Sequence, residues 1–175
     1  MDFKILYALQ SIRTPFLDSL WLFITNMAGS MGEFWLIVGA LLLIFRKTRK
    51  WGFSVLLSYA LVFVVGQFVL KDLIARPRPC HLDETIQLLV SRPSSYSCPS
   101  THTAWAFGAA ASLFMNNKKA GIGACVAAAL IGFSRMYLFV HFPTDVLAGV
   151  ALGILMGLIA AFAINKAAKA IKSKA

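Results

Sequence analysis

Apolar residues fall in long blocks along this chain, separated by short polar punctuation. Trp51 to Leu70 carries no charged residue, and neither does Val146 to Ile164. Each block matches the ~20 residues a helix needs to cross a hydrocarbon layer. Comparable stretches at about 30–45, 51–72, 101–116, 120–139 and 144–165 predict five transmembrane helices. The first thirty residues differ. Phe3, Leu6, Tyr7, Leu9 and Ile12 recur with a loosely helical period, and Thr14-Pro15 opens a second helix over 15–28. That helix carries Trp21, Leu22, Phe23 and Ile24, but also Asp18 and Asn26. Both segments predict helices lying in the membrane interface, with a short true span as the alternative for 15–28. The expected fold class is therefore all-α, a polytopic membrane helix bundle with N-terminal interfacial helices. It forms one domain over 1–175: interfacial helices in 1–29, a transmembrane core in 30–165, and a basic tail in 166–175.

Composition agrees. The chain is 59% hydrophobic, with a mean hydropathy of +0.74, above the usual soluble range. The net charge of +10 is not spread as a nucleic-acid surface would be. Basic residues cluster at Arg46-Lys47-Thr48-Arg49-Lys50, at Lys118-Lys119 and from Lys166 to Lys174. Under the positive-inside rule these mark cytoplasmic loops and a cytoplasmic tail, and the tail can also rest on anionic lipid heads. Loop 73–100 and the turn 140–143 then fall outside. No clean cleavable leader is visible in the first thirty residues.

Three blocks place chemistry beside these spans. The first holds Lys71 and Arg78, the second Pro99-Ser100-Thr101-His102, and the third Ser134-Arg135 with His141 and Asp145. All three collect at the extracytoplasmic ends. Lys and Arg suit phosphate oxygens, though for Lys71 taken alone snorkelling is the plainer reading. A helix opening at Ser100-Thr101 offers N–H and hydroxyl donors to an anion, and also reads as an ordinary cap. His141 and Asp145 are four residues apart, so the carboxylate can orient the ring; a satisfied interfacial histidine is the plainer reading. Arg76 and Arg92 have no comparable partner in the pattern and read as loop charge. Cys125 reads as packing. Cys80 and Cys98 bracket one loop and are a candidate disulfide, which would add roughly 3 kcal/mol in the chain-entropy model.

In these residues the chain resembles the type 2 phosphatidic acid phosphatase superfamily. Its signature is Lys, six residues, Arg-Pro; then Pro-Ser-Gly-His; then Ser-Arg, five residues, His, three residues, Asp. Lys71 with Arg78-Pro79 matches the first element, and Ser134-Arg135, His141 and Asp145 match the third. The middle element departs once, with Thr101 where glycine is usual. The resemblance implies a six-helix core and a metal-independent phosphatase without a cofactor. His141 would be the nucleophile that forms a phosphohistidine, Asp145 its orienting carboxylate and His102 the general acid. Lys71, Arg78, Ser100, Thr101 and Arg135 would bind phosphate. The implied enzyme is a lipid phosphatase of a bacterial cytoplasmic membrane, with its site on the extracytoplasmic side. Undecaprenyl diphosphate is the leading substrate, followed by phosphatidylglycerophosphate, phosphatidic acid or a lipid A phosphate. An anionic-lipid transporter would explain the cations without requiring His141 beside Asp145. The vanadate-dependent haloperoxidases share the motif set, but are soluble and larger.

Overall fold

The computed structural model describes residues 1–173, all helical where regular. Helix α1 spans Asp2–Ser11 and α2 spans Pro15–Ala28. Thr14 caps α2 by accepting the Leu17 N–H at 3.2 Å, and Pro15 occupies its first turn, where a missing N–H costs nothing. Helix α3, Glu33–Ile44, has only 12 residues, or about 18 Å at 1.5 Å per residue. Alone it is too short to span. Together α2 and α3 are long and apolar enough, as a pair bent by 50°.

This changes the expectation for residues 15–28. Helix α2 runs antiparallel to α8, Lys118–Tyr137, instead of lying apart from the bundle. Tyr137 Oη donates to Asp18 at 2.7 Å, the Trp21 and Phe133 rings are 4.6 Å apart, and Arg135 donates to Thr25 at 2.6 Å. The break at 29–32 contains Gly29 and Gly32, both at positive φ, a conformation glycine adopts without steric cost.

Helix α4, Arg49–Val62, continues as a π-helical segment over Phe63–Leu70 and one further turn, α5, Lys71–Ile74. In the π segment the Lys71 N–H bonds Gly66 O, five residues back. A short α6, Pro79–Leu82, precedes the loop to α7, Thr101–Asn116. Helix α9, Pro143–Lys172, runs through most of the expected tail; of that tail, residues 174–175 lie outside the described residues. The stretches Arg49–Leu82, Lys118–Tyr137 and Pro143–Ile171 meet the length and hydropathy of a span, besides the bent pair. Helix α7 is shorter, at 16 residues, because it is the core element. Ala104, Trp105, Ala106, Ala109 and Ala110 are all buried, so packing, not lipid contact, sets its composition.

Helices α7 and α9 approach closely. A Cβ at Gly149, Gly153 or Gly157, spaced four apart on α9, would collide with the carbonyl oxygens of Ser100, Ala104 and Gly108 respectively. Small residues at this spacing allow backbones to meet where lipid supplies no hydrophobic drive. The contact also aligns the two site-bearing helix starts, and Ser100 N–H donates to Asp145 O at 3.0 Å. Over these ends lies α1. Its Leu6 is buried with Cys80, Phe139 and Phe142, and Phe3 meets Phe142 edge-on at 5.1 Å.

Candidate active site

A cavity of about 370 Å³ opens between the helix starts. Lys71, Arg78, Thr101, His102 and Arg135 line it, together with Thr25 and Asn26 of α2 and Gln67 of the π segment. No Asp or Glu is among its lining residues. The three cations are all buried, with 4%, 3% and 8% exposure for Lys71, Arg78 and Arg135. Among the described residues none of the three forms an ion pair. Lys71 Nζ reaches Ser95 Oγ at 3.2 Å. Arg78 donates from Nε to Ser95 O at 2.7 Å, from Nη2 to Ser95 Oγ at 3.0 Å and from Nη1 to Val140 O at 2.9 Å. Arg135 Nε and Trp105 Nε1 are buried without a partner, and both residues line the cavity.

Against Arg78 lies His141, 1% exposed. Its Nε2 is 3.1 Å from Arg78 Nη1. A guanidinium has no acceptor, so Nε2 accepts and the ring proton sits on Nδ1. Burial pushes the imidazole pKa well below its ordinary value, and the nearby Arg78 and Arg135 charges push the same way against Asp145. The ring is therefore neutral at physiological pH, with the Nε2 lone pair covered by Arg78. On the cavity wall His102 Nε2 is 3.0 Å from Gly29 O. A carbonyl only accepts, so Nε2 carries hydrogen there and the break between α2 and α3 fixes this ring.

Asp145 is close to His141, but not hydrogen-bonded to it. Nδ1 and Oδ2 are 3.8 Å apart, and Ser97 Oγ stands beside both, 3.5 Å from Nδ1 and 2.5 Å from Oδ2. Oδ2 also accepts the Phe142 N–H at 2.9 Å, which caps α9. Oδ1 accepts from Arg76 Nη1 at 2.7 Å. Arg76 in turn pairs with Asp2 at 2.9 Å, donates to Thr144 Oγ1 at 2.7 Å and stacks over the Phe142 ring at 4.1 Å.

Five of the eight expected residues, Lys71, Arg78, Thr101, His102 and Arg135, thus line one cavity. His141 lies behind Arg78 and Asp145 beside His141, and neither lines the cavity. Ser100 is a third that stands back from it. It is buried, its hydroxyl pairs with Thr103 Oγ1 at 2.9 Å, and it does not line the cavity. The candidate disulfide is not formed: Cys80 and Cys98 are free thiols. Cys80 points into the apolar cluster under α1, whereas Cys98 is half-buried near Asp145. Sequence reasoning missed Arg76, Ser95, Ser97 and Thr25. Arg76 stands in a doubled Arg-Pro run, Arg76-Pro77-Arg78-Pro79, which was the available signal. The two serines carried none. Among the described residues, no three His, Cys, Asp or Glu side chains are grouped as metal ligands.

Comparison with known proteins accords with this geometry. The model of the PAP2 superfamily matches residues 47–169, and the chain belongs to that superfamily. An undecaprenyl-diphosphatase of Sulfolobus acidocaldarius is 38% identical over 120 residues, which is 68% of this chain and 58% of that relative. The chain therefore spans somewhat over half of that relative's length. The crystal structure of a transmembrane PAP2-type phosphatidylglycerolphosphate phosphatase from Bacillus subtilis superposes with a TM-score of 0.74. It is 33% identical, covering 97% of this chain and 85% of that one. Aquifex aeolicus LpxE gives a TM-score of 0.72 at 30% identity, covering 91% and 93%.

Proposed function

We propose that this integral-membrane protein is a lipid phosphatase that works through a phosphohistidine. One observation carries the reading: three buried cations without carboxylate partners line one cavity, and one of them, Arg78, covers the lone pair of a neutral histidine. Burying an unpaired charge costs several kcal/mol, so such a set is built to receive an anion. A phosphate entering the cavity draws the Arg78 guanidinium away from His141 Nε2. The freed lone pair attacks phosphorus, the bond from phosphorus to the leaving oxygen breaks, and His102 protonates that oxygen. Water then attacks phosphorus and gives a proton to the now neutral His102, the N–P bond breaks, and the His141 imidazole is regenerated. Lys71, Arg78 and Arg135, with the Thr101 N–H at the start of α7, hold the charge that builds on the phosphoryl oxygens. These cations balance phosphate charge without a metal.

Undecaprenyl diphosphate is the substrate we favour, since a relative named for that activity is 38% identical over 68% of this chain. Purified protein should release phosphate from it faster than from phosphatidylglycerophosphate, phosphatidic acid or a lipid A phosphate, with EDTA present throughout. Strict dependence on added magnesium would overturn the mechanism. Release from none of the four would overturn the function.

The site is proposed to face the extracytoplasmic side of a bacterial cytoplasmic membrane. Lys50 Nζ lies 3.4 Å from Asn165 Oδ1, so loop 46–50 and the far end of α9 share one face. Asp145 and Asn165 are about 30 Å apart along α9 at 1.5 Å per residue, one hydrocarbon thickness. In a variant without the native cysteines, Thr48→Cys should resist an impermeant thiol reagent in intact cells. Ready labelling there would move the site to the inner face.

A further inference from the structure

We infer that Asp2, the first residue of the interfacial helix α1, is a positioning residue for the reaction, holding Arg76 against the Asp145 carboxylate. The inference rests on the lipid-phosphatase reading, with Asp145 setting the His141 ring, and brings α1 into that machinery. Asp2 Oδ2 accepts from Arg76 Nη2 at 2.9 Å and from Thr144 Oγ1 at 2.6 Å. Arg76 Nη1 donates to Thr144 Oγ1 and to Asp145 Oδ1, both at 2.7 Å. The Thr144 hydroxyl has one proton and gives it to Asp2, so its oxygen is left to accept from Arg76. The guanidinium fork thus spans two carboxylates, one nitrogen to each. Burial acts to raise the Asp2 pKa, but the hydrogen bonds from Thr144 and Arg76 outweigh it and hold the carboxyl below its usual range. Asp2 is therefore an anion at neutral pH.

Arg76 needs such an anchor. It stands in the irregular stretch 75–78 between α5 and α6. Its backbone is held, since the Ser97 N–H donates to Arg76 O at 2.8 Å. Its side chain is long and 31% exposed, and such a side chain is drawn toward water and lipid head groups. Asp145, by contrast, is wholly buried, so a guanidinium that turns outward leaves a buried carboxylate oxygen short of a partner, which is costly. Asp2 opposes that turn from a helix seated by other contacts. Phe3 meets Phe142, Leu6 is fully buried, and Gln10 Nε2 donates to Tyr137 O at 2.8 Å. Tyr7 Oη donates to Asp83 at 2.8 Å. Asp2 does not line the cavity, so its influence on the chemistry runs through Arg76 and Asp145.

The test is steady-state phosphate release by the full chain in detergent, from whichever of the four lipids the wild type turns over fastest. Asp2→Ala should lower kcat at least about fivefold and move KM less than about twofold, because Lys71, Arg78 and Arg135 are untouched. Asp2→Asn keeps the shape and removes the charge, so it should show the same split at smaller size, whether or not Asp2→Ala disturbs the seating of α1. In an Arg76→Leu background, adding Asp2→Ala should change kcat by less than about twofold, the coupling expected of residues acting in series. Tyr7→Phe, which cuts a different tie of α1, should leave kcat unchanged. Wild-type kcat in both Asp2 variants, an undiminished Asp2→Ala effect without Arg76, or an equal loss in Tyr7→Phe would each overturn the role of Asp2. Any of these leaves the phosphatase reading standing, whereas that reading fails on the wild type alone, if it releases phosphate from none of the four.

Discussion

Replacing His141 with alanine is expected to lower phosphate release by about ten-thousand-fold or more, with the protein still folded in detergent. The magnitude is that of removing a nucleophile, as distinct from a helper. Folding should survive because the neighbours of His141 are held by other bonds: Arg78 by Ser95 and Val140, and Asp145 by Ser97, Phe142 N–H and Arg76. Retention of more than about a tenth of the activity, measured with a size-exclusion profile matching wild type, would remove His141 from the mechanism. Asp145→Asn should be milder, since it disturbs the ring's setting and leaves the lone pair in place.

Arg76→Leu should lower kcat on the order of a hundredfold, the usual scale for a small misplacement of reacting groups. Arg76 touches neither the cavity nor His141; it acts through Asp145 and is a positioning residue. It also carries an electrical signature. Burial and the Arg78 and Arg135 charges depress the His141 pKa, and the Asp145 carboxylate opposes them. Arg76, 2.7 Å from that carboxylate, cancels part of this opposition. Without Arg76 the carboxylate raises the imidazole pKa further, so the acid limb of kcat/KM should move to higher pH. Arg76→Lys should restore part of both rate and limb. A loss of rate with an unmoved acid limb would reduce Arg76 to a structural tie.

The parts of this site legible from sequence were those fixed by short-range spacing. His141 and Asp145 lie on one turn, and Ser100 to His102 open a helix, so their neighbourhood follows from local geometry. The placement of Arg76 was not legible, because its partners are Asp2 and Asp145, 74 and 69 residues away. Nothing in a doubled Arg-Pro run says which arginine turns toward the cavity. Ser95 and Ser97 were hidden for the same reason, since an irregular loop has no period to read. Among the helices, the long uncharged runs gave α4, α8 and α9 directly. Helix α2 read as interfacial because Asp18 and Asn26 break its apolar pattern, in which Thr25 is also polar. Those polar residues are explained by what they meet: Tyr137 and Arg13 at Asp18, Arg135 at Thr25, and the cavity at Asn26.

The wide turns over Phe63–Leu70 make the cationic cavity sensitive to chain length as well as to side chains. Gln67 and Lys71 face the cavity, while Phe68 and Val69, at 60% and 51% exposure, face outward. A π segment accommodates an extra residue within a helix. Deleting one residue there would let the helix close with ordinary α bonds and carry Lys71 about 100° around the axis. No motif residue would be lost, and an inspection of motif residues alone would still find a complete set. In lineages of this family, a single-codon deletion in this stretch is thus a route to a protein that keeps its fold and signature while losing one of the three cations proposed to bind phosphate.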